Sequence, residues 1–337
     1  MQKGIIKLQN LPSVQAYSSV VGKKEMEGPL AGKFDVYDTT DTFGMPTWEQ
    51  SESEMQRVAL NTAMKKAGLE ISDIDAIFAG DLINQCASSG YGLANFDAQF
   101  FGLFGACSTM AESIVLSSML IDSGKYKRTA AVTSSHNCSA ERQFRFPLEY
   151  GGQRTPTAQW TVTGSAAVIL GEHTEGNPCI SEVLPGRVCD KGIKDAANMG
   201  AAMAPAAADT LKRYFDESGR SPDSFDAIFT GDLGYEGSGI LADLLESAGY
   251  TLGDVHNDCG LLIYDREGQD VHAGGSGCGC CAAVLASHIL PELAVGKLRD
   301  VLFMATGAMM NTASVQQGLT IPGVAHLVHF VGGQPNG

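Results

Sequence analysis

Long hydrophobic runs are missing from this chain. Nowhere do about 18 apolar residues follow one another, the length a membrane-crossing helix needs, and the longest candidate, Cys278 to Leu290, is broken by His288 and stopped by Pro291. Residues 1–30 show no charged start followed by an apolar stretch, so no secretory leader is expected there. Basic residues are also scarce: 23 Lys and Arg stand against 38 Asp and Glu, a net charge of −15. That balance excludes general nucleic-acid binding and direct attraction to an anionic lipid surface, so a partner protein would have to bring the chain to a membrane. There is no GxxxxGK[ST] phosphate loop, and Gly234 to Gly239 is not a dinucleotide fingerprint. Nine cysteines in 337 residues fall far short of the roughly 8–10% of a disulfide scaffold, and reduced thiols in a cytosolic compartment are the expectation. Cys278-x-Cys280-Cys281 lacks the separated second ligand pair of a zinc site. These cysteines read as small apolar residues that let a helix pack closely, and neither a metal nor another cofactor is expected.

What the chain does have is core and glycine. Hydrophobic residues make up 44% and charged ones 18%, enough for a sizeable core of one or two domains. Forty glycines exceed the usual share of about 7%, in keeping with a layered α/β fold rich in tight turns.

The chain also repeats itself. Asp75-Ala-Ile-Phe-Ala-Gly-Asp-Leu82 returns as Asp226-Ala-Ile-Phe-Thr-Gly-Asp-Leu233, with seven of eight positions identical. Each copy follows a helix signal. A capping box at Ser51-x-x-Glu54 with Gly68 as the stop precedes the first, and Pro205 to Tyr214 with Gly219 precedes the second. Past the strand, the helix opened by Cys107 and the strand Thr129 to Thr133 have counterparts in the Gly-rich opening at Gly274 to Cys281 and in Val301 to Thr306. Ala166 to Leu170 and Cys259 to Tyr264 read as further core strands. The expected organisation is α/β, with an N-terminal half over residues 1–173, a C-terminal half over 174–331 and a loose tail at 332–337.

The stretch Phe104-Gly-Ala-Cys-Ser-Thr-Met-Ala-Glu112 carries the chemistry. Thr109 followed by Glu112 fits a capping box, so a helix is expected to start beside Cys107 with its free N–H groups towards the sulfur. A helix N-terminus favours a thiolate and can hold an anion or an oxyanion. Downstream, Ile114, Val115, Ser117, Ser118, Met119 and Ile121 mix small and apolar side chains with almost no charge, which predicts a buried helix.

Two pseudo-equivalent halves, a cysteine opening the inner helix of the first, a Gly-rich loop opening its counterpart, and the Thr163-Gly-Ser-Ala-Ala-Val-Ile-Leu170 strand together resemble the thiolase-like fold, with layers in the order α-β-α-β-α. More narrowly, Phe104 to Thr109, Thr133-Ser-Ser-His-Asn137, Glu149-Tyr-Gly-Gly-Gln153, Met203 to Thr210, Asp258 to Tyr264 and Ala273 to Cys278 resemble the stage V sporulation protein AD family, from about Gly28 to Ala325. The resemblance implies a sporulation protein that binds dipicolinate, with or without calcium, and works with membrane-embedded SpoVA proteins in moving it into the developing spore. It also implies a homodimer, and a cytoplasmic location peripheral to the spore inner membrane through those partners.

Fold does not decide function here. By the same resemblance, thiolase-like condensing enzymes pair the cysteine with a histidine on the loop after the second-half strand and with a second histidine or asparagine. Here that loop reads Gly231-Asp232-Leu233-Gly234, and the Gly-rich loop offers Ser276 and Cys278. Loss of one oxyanion donor costs about 10²–10³ in rate, so Claisen condensation is disfavoured. The alternative is a Cys107-dependent acyltransferase or thioesterase. The long non-periodic segment from Ser134 to Trp160 holds His136, Asn137, Arg142, Arg145, Arg154 and Gln159 among aromatics, the residue types a flat dicarboxylate needs. Candidate ligand contacts are Cys107, Ser108 and Thr109 at the helix start, Asp81 and Asp232 at equivalent strand ends, and His136, Arg142 and Arg145. The competing assignments are a structural cysteine, turn-forming aspartates and surface arginines.

Overall fold

The computed structural model describes residues 4–84, 86–144 and 153–333. Its principal strands are β1 (Ser13–Val21), β2 (Ala76–Gly80), β3 (Gln99–Gly102), β4 (Arg128–Ser135) and β5 (Gly164–Gly171), followed by β6 (Cys179–Leu184), β7 (Ala227–Thr230), β8 (His256–Asp258), β9 (Asp300–Ala308) and β10 (Gly323–Val331). They form two series, β3-β2-β4-β5-β1 and β8-β7-β9-β10-β6, joined where β1 lies beside β6. The second series is the first advanced by five, so the sequence repeat is a repeat of topology. The two series meet through one pair, Ser13 with Cys179.

Helices lie on both faces of each series. The outer pair is α1 (Trp48–Ala67) on β1, β4 and β5, and α3 (Met199–Ser218) on β9 and β10. The inner pair is α2 (Thr109–Asp122) and α4 (Cys278–Val284), which continues through a π turn, Leu285–Ile289, into Leu290–Ala294. Helix α2 touches strands of both halves, β2 and β4 on one side and β9 and β10 on the other. Strands covered twice must be apolar throughout. In β5, Ala166, Val168 and Leu170 join the central core, whereas Ala167 and Ile169 join the outer core under α1. In β9, Val301, Phe303 and Ala305 face the centre, and Leu302 and Met304 face α3. One period-2 alternation therefore feeds two cores.

Three local expectations are corrected. Helix α1 starts one turn earlier than the Ser51 signal, because Thr47 accepts from the Gln50 N–H (3.3 Å). Ser51 is buried and donates to the carbonyls of Thr42 and Thr47 instead. The run after Asp258 is a short helix, Cys259–Leu262, and not a strand. Helix α3 is capped by Asn198, whose side chain accepts from Ala201 N–H, and carries Pro205 inside it. The stops at Gly68 (φ 64) and Gly219 (φ 69) fall where predicted, in the left-handed conformation.

Candidate functional site

Cys107 lies on a tight turn between β3 and α2. Residues Ala106–Ser108 form a single 3-10 turn, and Ala106 adopts φ 51, a conformation that costs a side-chain-bearing residue roughly 1–2 kcal/mol. The turn is held from within. Ser108 Oγ donates to Gly105 O (2.6 Å), Thr109 Oγ1 to Ala106 O (2.7 Å), and the Gly105 N–H returns to Thr109 Oγ1 (3.1 Å). Thr109 and Glu112 therefore form no capping box. Glu112 Oε2 is buried without a partner among the described residues.

A cavity of about 330 Å³ opens over this turn, at the lower end of the usual range for small-molecule sites. Its wall is mostly apolar: Leu82, Phe104, Ala140, Phe144, Met199 and Met310 contribute, together with Cys107 and Ser276. Gln159 and Arg154 add polarity. Gln159 Nε2 donates to the carbonyls of Asp232 (2.6 Å) and Gly275 (2.9 Å), which leaves its Oε1 buried and unpaired. Arg154 stacks on Trp160 (4.7 Å), pairs with Asp270 (2.8 Å), and keeps a buried Nη1 with no acceptor among the described residues. The described lining contains no histidine or asparagine.

Beneath the cavity, Cys107 Sγ is 3.9 Å from Ser276 Oγ. Ser276 donates in turn to Asp232 Oδ2 (3.0 Å), which also accepts the Gly277 N–H (2.9 Å), while Thr306 donates to Oδ1 (2.9 Å). Burial, and then the Asp232 carboxylate, push the Cys107 thiol well above its ordinary pKa. The thiolate expected from the helix start is thus reversed, because a buried sulfur beside a carboxylate stays protonated. Cys278 donates to Ala106 O (2.9 Å). Cys259, Cys280 and Cys281 are buried free thiols, and no metal-holding group of His, Cys, Asp and Glu forms among the described residues.

The remaining candidates are placed elsewhere. Ser108 and Thr109 face inward as struts of the turn. His136 is buried, accepts the Cys138 N–H at Nδ1 (3.1 Å) and therefore donates from Nε2 to Asp41 O (2.9 Å); burial lowers its pKa. Arg142 is exposed and paired with Glu49. Neither lines the cavity. Arg145 lies outside the described residues. His329, outside the candidate set, sits buried between Asp300 (2.6 Å) and Glu182 (3.6 Å).

Asp81 is fully buried and accepts from Ser89 N–H (2.8 Å), Ser89 Oγ (2.6 Å) and Ile83 N–H (2.9 Å). It shares its surroundings with Glu52, which accepts from Ser134 (3.0 Å) and Ser139 (2.7 Å). Burial, reinforced by Asp81, raises the Glu52 pKa to about 8. The folded chain therefore holds a proton that the unfolded chain releases near its ordinary value of about 4.3. Stability falls as pH rises through that window and levels off above it. Glu52→Gln removes this contribution, so at pH 8.5 the variant should melt on the order of 3 °C above the parent and gain nothing at pH 4. Parallel melting curves across pH would refute this assignment.

Comparison with known proteins bears on the whole chain. The family model described as Stage V sporulation protein AD (SpoVAD) matches residues 2–331. Stage V sporulation protein AD of Bacillus subtilis (strain 168) is 46% identical over 318 residues, covering 94% of this chain and 93% of that protein. Among solved structures, cerulenin-bound OleA of Xanthomonas campestris superposes with a TM-score of 0.62 at 12% identity, covering 97% of this chain and 100% of that one. The 3-oxoacyl-(acyl carrier protein) synthase III, FabH, of Xanthomonas oryzae gives 0.60 at 14% identity, covering 97% and 100%. These likenesses establish a thiolase-like fold and leave the chemistry to the site.

Proposed function

Because the chain belongs to the stage V sporulation protein AD family, we propose that it is a non-catalytic receptor of the SpoVA system that binds dipicolinate, alone or as its calcium chelate, in the Cys107 cavity and serves its uptake into the developing spore. The observation that carries this reading is Arg154: a buried guanidinium N–H without an acceptor, on the wall of a largely apolar cavity. A planar ring bearing carboxylates satisfies both halves of that environment, the ring against Phe104, Phe144 and Met310 and a carboxylate on the guanidinium. Against acyl transfer stand the Cys107 thiol, whose pKa burial and then Asp232 push well up, and the lack of a histidine or asparagine in the described lining of the cavity.

The receptor acts in this reading as a homodimer. Strand β3 is the free edge of the first half, and its residues Gln99–Gly102 are all exposed, with Phe100 and Phe101 at 45% and 40%. An open apolar edge invites pairing with a second copy. Light scattering should return the mass of two chains, and Phe100→Lys should shift it towards one; a single-chain mass for the unaltered protein would remove the dimer.

Calorimetric titration tests the receptor reading. Saturable dipicolinate binding, with no response to acyl-CoA and no acyl adduct on Cys107, is the expected result. Acylation of Cys107 by acyl-CoA without dipicolinate binding would replace the receptor by the enzyme.

A further inference from the structure

A second concavity, of about 530 Å³, lies outside the Cys107 cavity and is lined by Gln153, Arg154, Pro156, Arg266 and His272. Gln153 and Arg154 line both spaces. Arg154 therefore stands between a cation-bordered basin on the surface and the apolar cavity inside. Its side chain is 12% exposed.

Asp270 already bridges two of the basin's nitrogen groups, Arg154 and His272. One carboxylate oxygen is 2.8 Å from Arg154 Nη2 and the other 3.1 Å from His272 Nε2, while the side chain itself is 74% exposed. The Asp270 carbonyl also accepts from Arg154 Nη2 (2.9 Å). Around it, His272 Nδ1 is fixed on Thr155 O (2.7 Å), Arg266 Nε donates to His272 O (2.8 Å), and Lys24 lies over Trp160 (4.4 Å), the ring that Arg154 also stacks on. A solvent-exposed carboxylate thus bridges two groups suited to an incoming one, while Arg154 keeps a further N–H unfilled.

We infer that Asp270 is an internal competitor for a carboxylate of the ligand, and that the Arg154, Arg266 and His272 basin is the outer station at which a planar dicarboxylate docks before entering the Cys107 cavity. The inference rests on the receptor reading and adds to it an order of contacts. The arriving carboxylate takes the place of the Asp270 side chain on Arg154. Asp270, the partner on the solvent side of the pair, can swing into water, so the competitor shields the guanidinium without sealing the site.

Titrating dipicolinate into the unaltered protein, Asp270→Asn, Glu267→Gln and Arg266→Ala tests this. Asp270→Asn should bind about threefold to fivefold more tightly, the scale of one exposed ion pair. Glu267→Gln, an equal charge change nearby on the same loop, should shift affinity less than about twofold if general charge is screened. Arg266→Ala should slow association in stopped-flow measurements, and more so at low salt. Equal gains for Asp270→Asn and Glu267→Gln, or a loss with Asp270→Asn at unchanged melting temperature, would overturn the competitor and leave the receptor intact. Absence of binding in every chain would overturn both, whereas binding gained only in Asp270→Asn would establish the competitor.

Discussion

Replacing Arg154 by alanine is expected to weaken dipicolinate binding by about tenfold to a hundredfold, the range for losing hydrogen bonds to a charged group. The buried Nη1 has no acceptor among the described residues, so a carboxylate brought against it would satisfy an unpaired charged donor. Stacking on Trp160 holds the guanidinium in place beforehand. Arg154→Lys keeps the charge and loses the planar fork, and should fall between the two. Titration calorimetry reads the effect, with unchanged circular dichroism as the folding control. Affinity within twofold of the parent would place the ligand's anchor elsewhere.

The second large effect is on stability and on the Cys107 turn together. A Cβ added at Gly307, near the end of β9, would lie 2.4 Å from Gly105 O and 3.0 Å from Ser108 N. Both are backbone atoms of the turn that presents Cys107, so no flexible side chain can give way. Strand β9 cannot retreat either, since Gly307 pairs with Val324 of β10. Gly307→Ala should cost about 1–3 kcal/mol in denaturant unfolding and weaken ligand binding by displacing the turn. Gly239, in the helix Gly234–Ser247, has nothing within 4 Å of an added Cβ. Gly239→Ala should be neutral or stabilising by up to about 1 kcal/mol. Equal behaviour of the two variants would show that the approach of β9 to the turn is not tight.

Most of the fold was legible in the sequence because it is built twice. Asp75 to Leu82 and Asp226 to Leu233 become β2 and β7 with their following aspartates, and apolar runs such as Ala166 to Leu170 are strands because helices cover both faces. Cys259 to Tyr264 was misread because a six-residue apolar run has no period that separates a buried strand from a buried helix. Ser51 and Thr109 both presented the letters of a capping box, yet each hydroxyl donates to a carbonyl in the folded chain. Capping letters record what a side chain can do locally, and the packed backbone selects one use.

The site divides along the same line. Sequence alone established the family, the two halves, the position of Cys107 at a helix start and the want of a histidine or asparagine on the loops that face it, because each is a matter of residue type at a given place in the chain. Tertiary structure decided the rest. It set Asp232, 125 positions away in the chain, against the Cys107 thiol and reversed the ionisation that the helix start alone would favour. It buried His136 in a backbone contact, left Arg142 on the surface, and put Arg154 on the cavity wall. Charge state and accessibility depend on the sum of distances to groups far apart in sequence and on the exclusion of water, and neither quantity exists until the two halves have packed together.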